Sequence, residues 1–116
     1  MKVLVVEDNE RNARLARDVL THAGFEVVVA GSGEACLGVA AGVDVVLMDI
    51  NLPGMNGVEA LAALRAAGVG VPVAAFTAHA MHDDRARLLA AGFDGYIEKP
   101  VDVRALPGQV SSLVRS

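Results

Sequence analysis

Five short apolar runs recur along the chain, at residues 3–6, 26–30, 44–48, 72–76 and 95–98. Most carry Val, Leu, Ile or Ala at successive positions without polar alternation, the pattern of parallel strands covered on both faces. The second and fifth runs are the least purely apolar. Between the runs the period changes. Ala13, Leu15, Ala16, Val19, Leu20 and Ala23 form a stripe at helical spacing, with Gly24 placed to end the helix. Val58, Leu61, Ala62, Leu64 and Arg65 repeat the pattern ahead of Gly68, and Ala86, Leu88, Leu89 and Ala90 repeat it ahead of Gly92. A shorter helix is expected over residues 34–41. Such strict alternation predicts right-handed crossovers and an α/β doubly wound parallel sheet with helices on both faces. The last segment has two readings. Asp102 can cap a helix, yet Pro107 and Gly108 follow within about two turns, so the helix either starts near Pro107 or breaks there.

A length of 116 residues suffices for one domain with a core and is too short for two. With 53% hydrophobic residues but one Tyr, three Phe and no Trp, that core must be mostly Val, Leu and Ala, which favours close helix-on-sheet packing. A net charge of -4 without any basic stripe argues against nucleic acid as a partner. Cys36 stands alone, so no internal disulfide is possible; it is expected as a small buried helix residue in a reducing, cytoplasmic setting. No leader-like segment precedes the first strand, and no apolar run approaches the roughly 20 residues of a membrane-spanning helix. A soluble chain with no membrane partner is expected.

In open α/β sheets, binding sites form at the carboxyl ends of the strands. Here the first run leads into Glu7-Asp8 and the third into Asp49. If those strands are neighbours, three carboxylates converge in one cleft. A single acid after a strand is ordinarily a helix cap, and Asp8 or Asn9 can serve the first helix in that way. Three at two strand ends repel one another unless a cation sits among them. Oxygen donors without Cys or His suit Mg2+, which takes one or two carboxylates plus phosphate oxygens and keeps several waters. One carboxylate is then free to attack phosphorus. Asp49, presented by the central run, is the better candidate, with Glu7 and Asp8 holding the metal. Thr77 and Lys99 follow the fourth and fifth runs, where a hydroxyl and an ammonium can donate to phosphoryl oxygens. Each alone is an ordinary strand-end or surface residue; their placement at four strand ends is the signal. Pro100 after Lys99 can hold a cis bond that aims the lysine.

These residues, in this order and spacing, closely resemble the response-regulator receiver family of two-component signalling. The resemblance rests on Val5-Val6-Glu7-Asp8-Asn9, on the stretch from Leu47-Met48-Asp49 through Pro53-Gly54-Met55-Asn56-Gly57, on Phe76-Thr77-Ala78 and on Lys99-Pro100, and it covers residues 3 to about 114. It implies a flavodoxin-like five-stranded sheet in the order 2-1-3-4-5. It also implies that Asp49 accepts phosphate from a phosphohistidine on a histidine kinase or histidine phosphotransfer protein, and that a downstream protein target reads the result. Glu7, Asp8, Asp49 and the backbone carbonyl of Asn51 would be Mg2+ ligands. Thr77 would be the switch hydroxyl, Lys99 the phosphate-contacting lysine, and Tyr96 the aromatic that changes rotamer. Pro53 and Gly57 would shape the loop after the acceptor. Tyr96 equally reads as a half-buried strand aromatic. Asn51 and His79 occupy positions that in this family influence the lifetime of the aspartyl phosphate, although His79 also reads as an exposed helix-start residue. A metal site at His79 and His82, next to Asp83 and Asp84, is a weaker reading. Pro107-Gly108 departs from the family pattern.

Rival readings fit less well. An aspartate-nucleophile phosphohydrolase of haloacid-dehalogenase type wants Asp-x-Asp, and Asp49-Ile50-Asn51 supplies an amide that cannot protonate a leaving group. A flavin-binding module needs a hydroxyl-rich phosphate loop where Glu7-Asp8-Asn9-Glu10 would repel phosphate. The intact acid, Thr and Lys set opposes a degenerate receiver. The expectation is a signalling phosphoacceptor that assists its own phosphorylation and dephosphorylation, acting either as a stand-alone regulator or as part of a longer chain.

Overall fold

The alternation of buried runs and helical stripes folds into β1 (Lys2–Val6), α1 (Glu10–His22), β2 (Glu26–Ala30), α2 (Gly33–Leu37), β3 (Val45–Asp49), α3 (Gly57–Ala66), β4 (Val73–Thr77), α4 (His82–Ala90), β5 (Gly95–Glu98) and α5 (Leu106–Val114). In this computed structural model the described residues are 1–77, 82–99 and 101–114, those at 82–85 by backbone alone. The five strands form one parallel sheet in the order β2-β1-β3-β4-β5. The chain therefore leaves β1 to one side for β2 and returns to the other side for β3, which opens a crevice between the ends of β1 and β3.

Alternate residues of each strand point to opposite faces, and both faces are covered. On one, Leu4, Val6, Val46, Met48 and Ala75 pack with Leu61 and Leu64 of α3 and Leu88 of α4. On the other, Val3, Val5, Leu47 and Phe76 pack with Ala16 and Leu20 of α1 and Leu106 and Val110 of α5. Every residue of β3 and β4 is buried, which is why those runs show no polar alternation. Cys36 is buried in α2, as expected.

Several boundaries differ from the sequence expectation. The third and fourth strands begin one residue late, at Val45 and Val73, and extend to Asp49 and Thr77. Asp44 instead turns its carboxylate to the Lys2 N–H at 2.8 Å, and Pro72, lacking an N–H, contributes only a carbonyl to Val46 at 2.9 Å. The second helix stops at Leu37, and a separate 3-10 turn follows at Ala40–Gly42. Leu15, Val58 and Leu89 are 39, 41 and 52% exposed, so the apolar stripes are wider than the faces that the helices bury. Ala62, Ala86 and Ala90 are likewise exposed.

Of the two readings of the last segment, the first holds. Asp102 accepts from the N–H groups of Arg104 and Ala105 and closes a lead-in turn; α5 then begins at Leu106 with Pro107 in its first turn, where no N–H is required. The readings placed on Pro100, on His79 and on the side chains of His82 and the two following acids lie outside the described residues.

The loop after β3 is drawn tight by Gly57, whose N–H donates to the Ile50 carbonyl at 3.0 Å. A Cβ at Gly57 would lie 2.9 Å from the Ile50 Cα and overlap the carbonyl oxygen of Asp49. Replacing Gly57 by Ala should therefore cost about 1–3 kcal/mol of unfolding free energy through forced backbone movement. Gly42→Ala, which meets nothing within 4 Å, should stay within about 0.5 kcal/mol of wild type. Urea unfolding of both variants checks the contrast.

Candidate functional site

Ladder bonds set the ends of the strands before any side chain is considered. The Glu7 N–H continues the β1–β2 ladder to the Ala30 carbonyl at 3.0 Å, and the Lys99 N–H continues the β4–β5 ladder to the Thr77 carbonyl at 2.8 Å. Val6 pairs with Met48, Asp49 with Phe76, and Thr77 with Glu98. Glu7, Asp49, Thr77 and Lys99 thus climb as steps along one edge of the sheet.

The side chains of Glu7 and Asp49 are only 1% and 5% exposed. Asp8 is exposed, and it does not cap α1: Asn9 does, its side chain accepting from the N–H groups of Arg11 and Asn12 at 3.0 and 3.1 Å. One carboxylate oxygen from each of Glu7, Asp8 and Asp49 falls within 4.8 Å of the others. Lys99 reaches into this cluster. Its Nζ lies 2.8 Å from Glu7 Oε2 and 3.2 Å from Asp49 Oδ2, and 4.8 Å from the centroid of the Phe76 ring beneath it. Asp49 Oδ1 accepts from the Asn51 N–H at 3.0 Å. Glu7 Oε1 accepts from Asn12 Nδ2 at 3.2 Å.

The remaining predicted residues stand nearby or just behind. Thr77 is buried at the end of β4, one position past the residue paired with Asp49. Tyr96 is half-buried in β5 against the core that α3 and α4 cover. Asn51 joins through its backbone, and its side chain is exposed. The loop beyond it is held from two sides. The Met55 N–H donates to Glu34 Oε1 at 3.3 Å, and Asn56 and Glu59 exchange side-chain-to-backbone bonds in a capping box at the start of α3.

The two buried acids titrate in opposite directions. Burial pushes the Glu7 carboxyl above the ordinary glutamate range, and the neighbouring Asp49 adds to this against the lowering pull of Lys99 and Asn12. Burial also acts upward on Asp49, but the hydrogen bond with Glu7, the Asn51 amide and the Lys99 charge outweigh it and hold Asp49 below the usual aspartate range. Of the pair, Asp49 is the one whose surroundings favour the charged form.

Two members of the site were given no role there by the sequence reading. Asn12 follows Glu7 by five positions on the first turn of α1, a spacing that offered a usable but weak signal. Phe76 entered only as the end of the fourth run and as part of the family motif, and the fold puts its ring under Lys99.

The model of the response regulator receiver domain matches residues 3–111 of the chain. The protein belongs to that family. It is 37% identical over 116 residues to hybrid signal transduction histidine kinase I of Dictyostelium discoideum, which covers 90% of this chain and 7% of that protein. It is 38% identical over 112 residues to sensor protein GacS of Pseudomonas syringae pv. syringae, covering 90% of this chain and 12% of that protein. The chain thus spans about a tenth of the length of these curated relatives. Among solved structures, the chemotaxis protein CheY4 of Vibrio cholerae superposes with a TM-score of 0.89 at 28% identity, over 97% of each chain. The receiver family is one of signalling phosphoacceptors, and the five-stranded sheet has the flavodoxin-like strand order that the resemblance implied. Among the described residues, no helix is long and apolar enough to cross a membrane.

Lys99 is the counter-charge that makes the acid cluster tolerable. Because the Glu7 pKa is raised on folding, its contribution to stability is fully present below the ordinary glutamate value and is lost as pH rises through the raised value. Lys99→Met should raise that pKa further. The variant should lose about 1–3 kcal/mol at pH 8 and less at pH 5, where Glu7 is nearer its neutral form while the lost contact with Asp49 persists, as urea unfolding at the two pH values will show.

Proposed function

We propose that the chain, over residues 1–116, is a phosphoacceptor receiver domain of a two-component phosphorelay, with Asp49 as the acceptor. The observation that carries this reading is a buried Asp49 with two further carboxylates within 4.8 Å and an ammonium at 3.2 Å, surroundings that hold its pKa below the usual range. In the transfer, a carboxylate oxygen of Asp49 attacks the phosphorus of a phosphohistidine. The new O–P bond forms as the P–N bond breaks, and the electron pair leaves on the imidazole nitrogen, which takes a proton from solvent. The donor is a histidine kinase or a histidine phosphotransfer protein.

The all-oxygen donor set of Glu7, Asp8 and Asp49 fits Mg2+, with the Asn51 backbone carbonyl as a further ligand. When bound, the metal supplies positive charge to the oxygens of the transferred group. Asp8, on the solvent side, leaves room for the waters that Mg2+ retains. Lys99, released from its carboxylates, donates to a phosphoryl oxygen, and the buried Thr77 hydroxyl turns in to donate to another. The space that Thr77 vacates admits the half-buried Tyr96 ring. Moving such a switch from 1:99 to 99:1 takes about 5.5 kcal/mol. Two or three charge-assisted bonds of about 1.5–3 kcal/mol each cover most of it.

A downstream protein reads the altered face. The acidic balance of the chain supports a protein partner over nucleic acid, and a cytoplasmic site of action fits the phosphohistidine donors. The domain assists its own phosphorylation and dephosphorylation and turns over no separate substrate. A second reading concerns context. Relatives that carry this domain as about a tenth of a sensor kinase favour a receiver working inside a longer kinase and handing its phosphate to a histidine phosphotransfer protein.

With acetyl phosphate or phosphoramidate and Mg2+, intact-mass spectrometry should show one phosphoryl group on wild type and none on Asp49→Asn or after EDTA. Equal labelling of Asp49→Asn defeats the assignment. Thr77→Ala should still be labelled while phosphate-dependent binding of the downstream protein drops by about tenfold, as expected when one such bond is lost. Undiminished phosphate dependence in that variant removes Thr77 from the switch.

A further inference from the structure

The two oxygens of the Glu7 carboxylate have separate partners. Oε2 accepts from Lys99 Nζ at 2.8 Å and belongs to the pocket shared with Asp49. Oε1 accepts from Asn12 Nδ2 at 3.2 Å and faces the helix. In the first turns of α1, Glu10, Arg11, Arg14 and Leu15 line a hollow on the outer surface. Asn12 turns the other way, to the strand end. Its backbone is held as well, because its N–H donates to Asn9 Oδ1 at 3.1 Å. The amide is thus presented from a capped helix end by a side chain with few rotatable bonds.

A glutamate needs this more than an aspartate does. Its longer side chain gives the carboxylate more ways to sit, and a buried carboxylate whose second oxygen lacks a partner bears the full desolvation cost. A neutral amide suits the place. It donates to a carboxylate that can only accept, and it adds no charge that would compete with a cation in the pocket. A Lys or Arg at this position would supply a rival cation, and an Asp would add a further negative charge.

We propose that Asn12 is a positioning residue: by holding Glu7 Oε1 it aims Oε2 at the Asp49 pocket, sets the Mg2+ affinity of the receiver, and through that affinity sets the Mg2+ requirement of phosphorylation. This rests on the reading of Glu7, Asp8 and Asp49 as the metal ligands. Partners that hold the far atom of a metal ligand typically matter by 10–100-fold in affinity, and about tenfold is expected for a single neutral bond.

Isothermal titration with MgCl2, without phosphodonor, compares wild type with Asn12→Leu, Asn12→Ser and Asp8→Asn. Asn12→Leu should bind Mg2+ about tenfold more weakly. Asn12→Ser, polar but too short to reach Glu7, should match it. The rate of labelling by acetyl phosphate should then need about tenfold more Mg2+ for half its maximum, while the maximal rate at saturating Mg2+ stays within about twofold of wild type. A helix residue that only supports folding would not produce that split. Mg2+ affinity within twofold of wild type in Asn12→Leu or Asn12→Ser, with Asp8→Asn impaired, overturns the role of Asn12 alone. If Asp8→Asn also binds like wild type, the metal reading falls and takes the Asn12 proposal with it.

Discussion

Three carboxylates crowd the ends of β1 and β3, and the fold survives this because one ammonium reaches between two of them. Like charges at such range, two of them buried, are unfavourable without a partner. The sheet topology leaves no way round the problem. Parallel neighbours in register bring Glu7 and Asp49 to the same level, and the β4–β5 ladder carries Lys99 to the same edge. Lys99 is the positive charge that Glu7 and Asp49 share.

That constraint connects packing to signalling. A cluster held in balance by one lysine is sensitive to any change in its charge. Phosphorylation adds about -1.5 to -2 charges, far more than a single side-chain rearrangement offsets. In the proposed switch the responding groups lie on the strands next to the acceptor: Lys99 over Phe76, Thr77 buried at the end of β4, and Tyr96 half-buried in β5. On that proposal the response travels by small exchanges of space along β4 and β5, beside the fully buried β3.

Much of this was legible in the sequence, for a physical reason. Strands covered on both faces must be apolar throughout, so the polar residue that ends each run is conspicuous; Glu7, Asp49, Thr77 and Lys99 were found in that way. Leu15, Val58 and Leu89 misled because helical spacing marks every apolar residue near a face, whereas burial depends on how closely a neighbour approaches. The start of α5 could not be chosen in advance. Asp102 and Pro107 are both good starting signals, and only the lead-in turn at Asp102 shows that the chain uses each in succession. Asn12 escaped because its role depends on where the α1 cap falls, and Asn9 rather than Asp8 turned out to supply it.

The most direct measurement is a crystal structure of the protein with Mg2+ and beryllofluoride, which mimics an aspartyl phosphate. Beryllium should be bonded to Asp49, with the metal on Glu7, Asp8 and Asp49 and with Lys99 moved from Glu7 to a fluoride. Beryllofluoride on another residue, or Lys99 still paired with Glu7 while the metal sits elsewhere, would contradict a site in which lysine and magnesium share the same carboxylates.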